Sequence, residues 1–356
     1  MKMNTRVLMK GNEALCHAAL DAGCFCFFGY PITPQNQVPE YLSLLMPQHG
    51  RVFLQAESEV AAINMVYGAA STGVRVMTSS SSPGISLKQE GISYLTGAEL
   101  PAVIVNVMRG GPGLGNIAPS QADYFQATRG GGHGDYRTLV LAPSSVQEMY
   151  DLTRDAFDLA EKYRNPVMIL TDAIQGQMME PMTITRDPLP VPAPLPWGTR
   201  GTRKGSRTII NSLFIVAEEL EKQNQRLQAK YDQMAREDLR WQEEELAEAE
   251  VAIVAYGSAA RVCRTAIRLL REQGVRVGMF RPITLFPFPS DALRAVGERM
   301  KLLFTVELSA GQMLDDVRLA LEGRCPIGFY GRTGGVVPTP EEVAEALLAK
   351  MRELGI

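Results

Sequence analysis

The sequence predicts an α/β protein: a doubly wound parallel sheet followed by a smaller α/β domain, the two joined by a Pro-rich linker and a long helix. Three observations predict it. Apolar runs such as PAVIVNVM (101–108) and PVMILTD (166–172) are continuous rather than alternating, as in strands buried on both faces. Segments of helical apolar spacing lie between the strands, at 11–22, 35–46, 57–72, 84–97 and 145–162, long enough to serve as crossovers. The alternation resumes at VAIVAYGSAA (251–260) after a stretch of different composition. A chain of 356 residues divides into about two domains at roughly 150 residues each.

Taken in order, the first helix stops at Gly23 and the strand CFCFFGY (24–30) ends against Pro31. RVFLQ (51–55), VRVMTSS (74–80) and LVLAP (139–143) are further strands, and the Ala-rich helix 57–72 stops at Gly73. From about 179 to 205 Pro, Gly and Arg dominate, as in PLPVPAPLPWGTRGTRKG, which predicts an extended linker. A polar helix is expected over 206–247, with Leu213, Leu220, Leu227, Met234 and Trp241 on one seven-residue seam. Two readings of that helix stand open: one lying on a neighbour, or an arm reaching a partner subunit. The second α/β unit has strands at 251–256, 275–282 and 301–307 and helices at 259–273, 290–299, 312–322 and 340–353. The expected divisions are 1–178, 179–250 and 251–356.

Composition excludes several classes. Hydrophobic residues are 46% and charged residues 21%, as in globular proteins, and a net charge of -3 offers no basic surface for nucleic acid. The apolar runs fall short of the roughly 18–20 residues a membrane span needs. The N-terminus has no secretory pattern, so a cytoplasmic protein is expected. The five cysteines form no CxxC pair, and His17, His49 and His133 have no metal-ligand spacing. A zinc site or a cluster held by this chain alone is therefore not expected. Cys24 and Cys26 read as buried small apolar residues in a strand rather than a redox pair.

In a doubly wound sheet ligands bind beyond the carboxyl ends of the strands. Thr33 lies there between two prolines in YPITP (30–34), which leaves its hydroxyl as a short, rigidly placed donor. Glu59 lies just inside the Ala-rich helix, followed by apolar residues that suit a buried acid; Glu57 is the alternative. The loop SSSSPG (79–84) opens a helix and contains Ser82, and Arg109 ends the strand before GGPGLG, where a guanidinium takes a carboxylate bidentately. Three glycines before HGDYR (133–137) predict a mobile polar loop over an opening, with His133 a weak candidate acid or base.

Together GYPITP (29–34), ESEVAAINMVYGAASTG (57–73), TSSSSPGISLKQEGISYLTGAELP (78–101), VMRGGPG (107–113) and FRPITLFPFP (280–289) resemble the alpha subunit of thiamine-diphosphate-dependent 2-oxoacid:ferredoxin oxidoreductases. The HGDYR loop and short length resemble most the subtype acting on 3-methyl-2-oxobutanoate (2-ketoisovalerate). The resemblance implies a thiamine-diphosphate pyrimidine-binding domain over 1–178 and a transketolase C-terminal-like domain over 251–356. It implies that Glu59 faces the aminopyrimidine N1′ and is catalytic, that Thr33 and Arg109 bind substrate, and that Ser82 lies beside the cofactor. The family's GDG and downstream Asn, which hold magnesium and diphosphate, do not occur, and cluster cysteines are absent. Mg2+ and the 4Fe-4S clusters are thus expected on partner chains: a diphosphate-binding beta subunit, a gamma subunit and a ferredoxin-like subunit, with ferredoxin as acceptor and CoA as co-substrate. Gln35 and Asn36 follow YPITP where many relatives have two serines, a departure that bears on substrate size.

Other readings are the same chemistry on 2-oxoglutarate or pyruvate, and a nicotinamide dehydrogenase using GSAARV (257–262) or GGPGLG, both of which lack the full glycine spacing. A further one is a non-catalytic assembly subunit with a thiamine-enzyme fold.

Overall fold

The computed structural model describes residues 5–185, 189–199, 201 and 208–356. The first part of the chain runs β1 (Thr5–Lys10), α1 (Gly11–Asp21), β2 (Cys26–Gly29), α2 (Gln37–Gln48), β3 (Val52–Gln55), α3 (Glu59–Ser71), β4 (Val76–Ser80), α4 (Ser82–Gly97) and β5 (Ala102–Met108). It continues through α5 (Tyr124–Arg129), β6 (Leu139–Leu141), α6 (Val146–Tyr163), β7 (Pro166–Asp172), α7 (Ala173–Gln177) and β8 (Met179–Ile184). Then follow α8 (Ala217–Glu237), β9 (Trp241–Glu244), β10 (Val251–Val254), α9 (Gly257–Glu272), β11 (Val277–Pro282) and β12 (Thr284–Phe286). The chain closes with α10 (Ser290–Gly297), β13 (Leu302–Glu307), α11 (Gln312–Leu321), β14 (Ile327–Gly331) and α12 (Pro340–Leu354).

Two large sheets result. The seven-stranded sheet has the order β12-β6-β7-β5-β4-β2-β3 and the five-stranded sheet β14-β13-β10-β11-β9. Neighbours pair in parallel except at two edges, where β12 runs antiparallel to β6 and β9 antiparallel to β11. Every residue of β5 and β7 is buried, in keeping with their continuous apolar runs. Their two faces feed different cores: Val103, Val105 and Val107 pack with α1 and α6, whereas Ile104 and Met108 pack with Ile63 and Ile85 of α3 and α4.

Four expectations are corrected. The stretch from 179 begins with β8, which pairs antiparallel with β1 in a two-stranded ribbon. The linker beyond it lies against the large domain: Leu195 N donates to Gly73 O at 2.9 Å and Thr199 N to Ser71 O at 2.8 Å. The helix expected over 206–247 spans only Ala217–Glu237, and residues 206–207 lie outside the described residues. Leu213 precedes it, 68% exposed, and Trp241 sits in β9, so the seven-residue seam is not one helical face. The face that α8 does bury is Leu227, Tyr231 and Met234, spaced i, i+4, i+7. Lys230 and Arg226 add ion pairs of 2.8 and 2.6 Å to Glu99, so this face lies on its own chain. Lastly, β12 comes from the stretch assigned to the second domain yet forms the edge of the first domain's sheet.

The cysteines are all free and buried. Burial pushes the Cys24 thiol up to about 12 and that of Cys26 to about 11, which removes the thiolate a redox pair would need.

Candidate active site

The large sheet starts at β2, grows to β3 on one side, then reverses to β4 on the other. The carboxyl ends of β2 and β4 therefore flank a topological switch point, where such sheets open a crevice. The YPITP loop leaves β2 there and the SSSSPG loop leaves β4, and the first turn of α4 becomes the hub that the other elements meet.

Ser82 opens α4 and accepts a hydrogen bond from the Arg109 amide at 3.0 Å while its hydroxyl donates to Asp123 Oδ2 at 2.6 Å. Asn106, in the middle of β5, supplies both ends of its amide: Oδ1 accepts from Ser82 N at 3.2 Å and Nδ2 donates to Asp123 at 2.9 Å. Burial pushes the Asp123 carboxyl above its ordinary value, with the bonds from Ser82 and Asn106 and the charge of Arg109 opposing. A cavity of about 370 Å³ opens between Ser82, Pro83, Asp123 and the glycine loop 110–113.

Arg109 clasps two loops. Its Nη1 donates to Thr33 O and its Nη2 to Leu114 O, both at 3.0 Å, while its buried Nε has no partner. Thr33 is held from below as well: Pro34 O accepts from Asn12 and Gln177, each at 3.1 Å. Asn36 Nδ2 donates to Thr33 Oγ1 at 3.3 Å, which leaves the threonine's own proton free to point elsewhere. Gln35 is buried across the base of the crevice, accepting from Ser79 Oγ at 2.5 Å and donating to Tyr30 O at 3.2 Å.

Glu59 approaches the hub from α3, whose N-cap Ser58 accepts from Ala61 N at 3.1 Å. It is buried, whereas Glu57 is exposed, which separates the two carboxylates the sequence offered. Gly84 is what lets it in: a Cβ there would lie 2.6 Å from Glu59 Oε1 and 2.1 Å from Ser80 Oγ. Among the described residues no group donates a hydrogen bond to the Glu59 carboxylate, and the buried hydroxyls of Ser80 and Ser81 have no partner.

The structure thus gathers Thr33, Glu59, Ser82 and Arg109 around one helix turn. Asp123, Asn106 and a fully buried Lys88 join them without having been singled out by sequence. The signal for Asn106 was present as a polar residue inside an apolar strand run, and that for Lys88 as a charge on the glycine-bearing face of α4.

His133 is not part of this gathering. The segment 130–138 enters β6 at its amino end, the edge of the sheet opposite the site, and His133 is exposed. The loop is tied to α4 by hydrogen bonds. Tyr136 is buried and its hydroxyl donates to Gln89 Oε1 at 3.1 Å, while His133 O accepts from Ser93 at 2.9 Å.

Residues 17–238 match the family model of the thiamine-diphosphate-binding part of pyruvate flavodoxin/ferredoxin oxidoreductases, and residues 249–343 match core domain II of pyruvate:ferredoxin oxidoreductase. The chain is 51% identical over 347 residues to the ketoisovalerate oxidoreductase subunit VorB of Methanothermobacter thermautotrophicus, covering 98% of this chain and 97% of that subunit. To the 2-oxoglutarate synthase subunit KorA of the same organism it is 38% identical, over 98% of this chain and 100% of the relative. Among solved structures, the 2-oxoglutarate:ferredoxin oxidoreductase of Magnetococcus marinus, with 2-oxoglutarate, coenzyme A and succinyl-CoA bound, superposes with a TM-score of 0.87 at 28% identity. That match covers 98% of this chain and 66% of the other. A split-gene transketolase shares the fold at 14% identity, with a TM-score of 0.61. No helix of the described residues is long and apolar enough to cross a membrane.

Proposed function

Because the chain belongs to the pyruvate flavodoxin/ferredoxin oxidoreductase family, we propose that it is the pyrimidine-side subunit of a complex that oxidatively decarboxylates a 2-oxoacid. The products are acyl-CoA and CO2, with ferredoxin reduced. The substrate proposed is 3-methyl-2-oxobutanoate, because the chain is closer to ketoisovalerate subunits than to 2-oxoglutarate subunits. The observation that carries the proposal is the meeting, at one strand-end crevice, of a carboxylate without a protein donor and a guanidinium with an unpartnered Nε–H.

These residues fit a thiamine diphosphate pyrimidine on their own terms. The bare backbone at Gly84 lets the Glu59 carboxylate lie against α4 with no protein donor, free to accept from an incoming one, and the hydroxyls of Ser80 and Ser81 are likewise unpartnered. When bound, the cofactor supplies the electron sink that makes decarboxylation of a 2-oxoacid feasible. Glu59 holds and returns a proton at the pyrimidine N1′, and burial keeps water from competing for it. Arg109, fixed by the two loop carbonyls, presents Nε–H to the substrate carboxylate. Thr33, its oxygen already accepting from Asn36, directs its proton to the keto oxygen. Ser82 fixes the backbone of Arg109 and the start of α4 beside the cofactor.

Mg2+, the diphosphate and the 4Fe-4S clusters are assigned to partner subunits, the beta, gamma and ferredoxin-like chains, and CoA enters as co-substrate. Five free thiols suit a reducing cytoplasm. The 1–178, 179–250 and 251–356 divisions are proposed as cofactor domain, connecting arm and C-terminal domain, with β9 and β12 exchanged across those limits.

The test is anaerobic, CoA-dependent viologen reduction by the complex that co-purifies with this chain, offered 3-methyl-2-oxobutanoate, 2-oxoglutarate, pyruvate and an aryl pyruvate. The branched acid is expected to give the highest kcat/KM; preference for another would move the substrate and keep the chemistry. Glu59→Gln should lower kcat about 10²-fold or more. A loss under about threefold would remove Glu59 from this role, and activity with none of the acids would favour an assembly subunit.

A further inference from the structure

A charge lies buried beneath the site. Lys88 is four residues after Gly84 on the face of α4 that packs against α3, where Gly91 admits Ile63 as Gly84 admits Glu59. Helical side chains lean toward the helix N-terminus, so the Lys88 ammonium rises toward the Gly84–Glu59 contact. It is wholly buried, and Nζ donates to Thr78 Oγ1 at 2.8 Å and Ser79 O at 2.9 Å, at the carboxyl end of β4. Both partners are neutral, and among the described residues no carboxylate forms a direct ion pair with it. Burial pulls Lys88 down to about 7, and Glu59 is the charge that acts against this. An apolar side chain of equal length would fill the space without the desolvation cost of an ammonium. Glu59, which lies against Gly84 one turn earlier in α4, is the charged group that interacts with this ammonium.

We propose that Lys88 is a positioning residue for Glu59: from beneath Gly84 its ammonium keeps the Glu59 carboxylate directed at the thiamine diphosphate N1′. The inference rests on the role proposed for Glu59. In that contact one proton is shared between carboxylate and ring nitrogen. When Lys88 is protonated, its positive charge on the carboxylate side favours the arrangement with the proton on nitrogen.

A double-mutant cycle on the co-purified complex tests this, read as the Kd of thiamine diphosphate with Mg2+ after cofactor removal. The four forms are the wild type, Lys88→Met, Glu59→Gln and the double variant, with thermal unfolding reporting assembly of each. Lys88→Met should weaken binding about tenfold in the wild type and less than about twofold where Glu59→Gln is already present. Equal losses in both backgrounds, or no loss in either, overturn the proposal. Lys88→Gln, which keeps a donor and removes the charge, replaces Lys88→Met in the same cycle if that complex fails to assemble, and wild-type affinity in it likewise overturns the proposal. Failure of the underlying reading looks different: Glu59→Gln would then leave turnover intact. If Glu59→Gln stops turnover while the cycle is additive, only the inference about Lys88 falls.

Discussion

The two sheets are built on one plan and end differently. In each the first parallel strand sends the chain to one side and then to the other, so β2/β4 and β10/β13 both flank a switch-point crevice. In the C-terminal sheet that crevice is closed by a side chain of the other domain. Gln121 Nε2 donates to Tyr256 O beyond β10, and its Oε1 accepts from Leu308 N beyond β13, both at 2.9 Å. Around it Ser258 donates to Asp172 at 2.8 Å, and Tyr124 to Asp316 at 2.5 Å. The remaining carboxylate, Glu307, accepts from the Met313 and Leu314 amides that open α11. In the N-terminal crevice the local Gln35 bridges only the base, and above it Ser80, Ser81 and Arg109 Nε stay without partners. The topology is shared, and each crevice keeps an unpartnered hydroxyl, Thr305 on β13 in the second. What separates a joint from a site is that Gln121 spans the second from strand end to strand end, whereas Gln35 spans only the base of the first.

The comparison can be broken at its closed end. Gln121→Ala would orphan the buried Leu308 amide, while Tyr256 O keeps its bond from Ala260 N, so a loss of about 1–3 kcal/mol is expected by thermal or denaturant unfolding. The 2-oxoacid KM of the surviving complex should stay near that of the wild type; a KM change with unaltered stability would make the second crevice a site too. At the open end, Gly84→Ala tests the gap itself. Its backbone is helical, so alanine is conformationally acceptable, and the added Cβ acts only by pushing Glu59 or Ser80. Since misplacement by about 1 Å can cost about 10²-fold, kcat should fall by that order with little change in the unfolding midpoint. The smallest expected effect is that of Arg109→Lys, which keeps the charge and loses the fork. The 2-oxoacid KM should rise about tenfold and kcat less; a larger fall in kcat than in affinity would move Arg109 from substrate to cofactor.

Much of this was legible in sequence where a residue's surroundings are local. β5 and β7 are runs of apolar residues with crossover helices around them. The strand-end rule pointed to YPITP with Thr33, the turn carrying Glu57 and Glu59, the SSSSPG loop and Arg109, while the family resemblance singled out Ser82 and gave Glu59 its role. The elements it missed are those whose partners lie far along the chain. β1 pairs with β8 and β12 with β6, short edge strands that carry Pro181 or only three residues, and their own propensities say little. Gln121 is a polar residue in a loop until the ends of β10 and β13 close around it. The α8 seam failed for a related reason: a seven-residue spacing is compatible with helix but does not compel it, and Ile209, Leu213 and Ile215 stand exposed ahead of the first turn.

β12 has a consequence for how the molecule is made. The outer strand of the first sheet is Thr284–Phe286, so a nascent chain leaving the ribosome must hold that sheet's β6 edge unpaired until most of the polypeptide has been synthesised. An open edge is the usual template for wrong pairing between chains. Completion in cis by a late segment means that the two domains mature together, and that a gene truncated after residue 250 would encode a sheet with its adhesive margin uncovered.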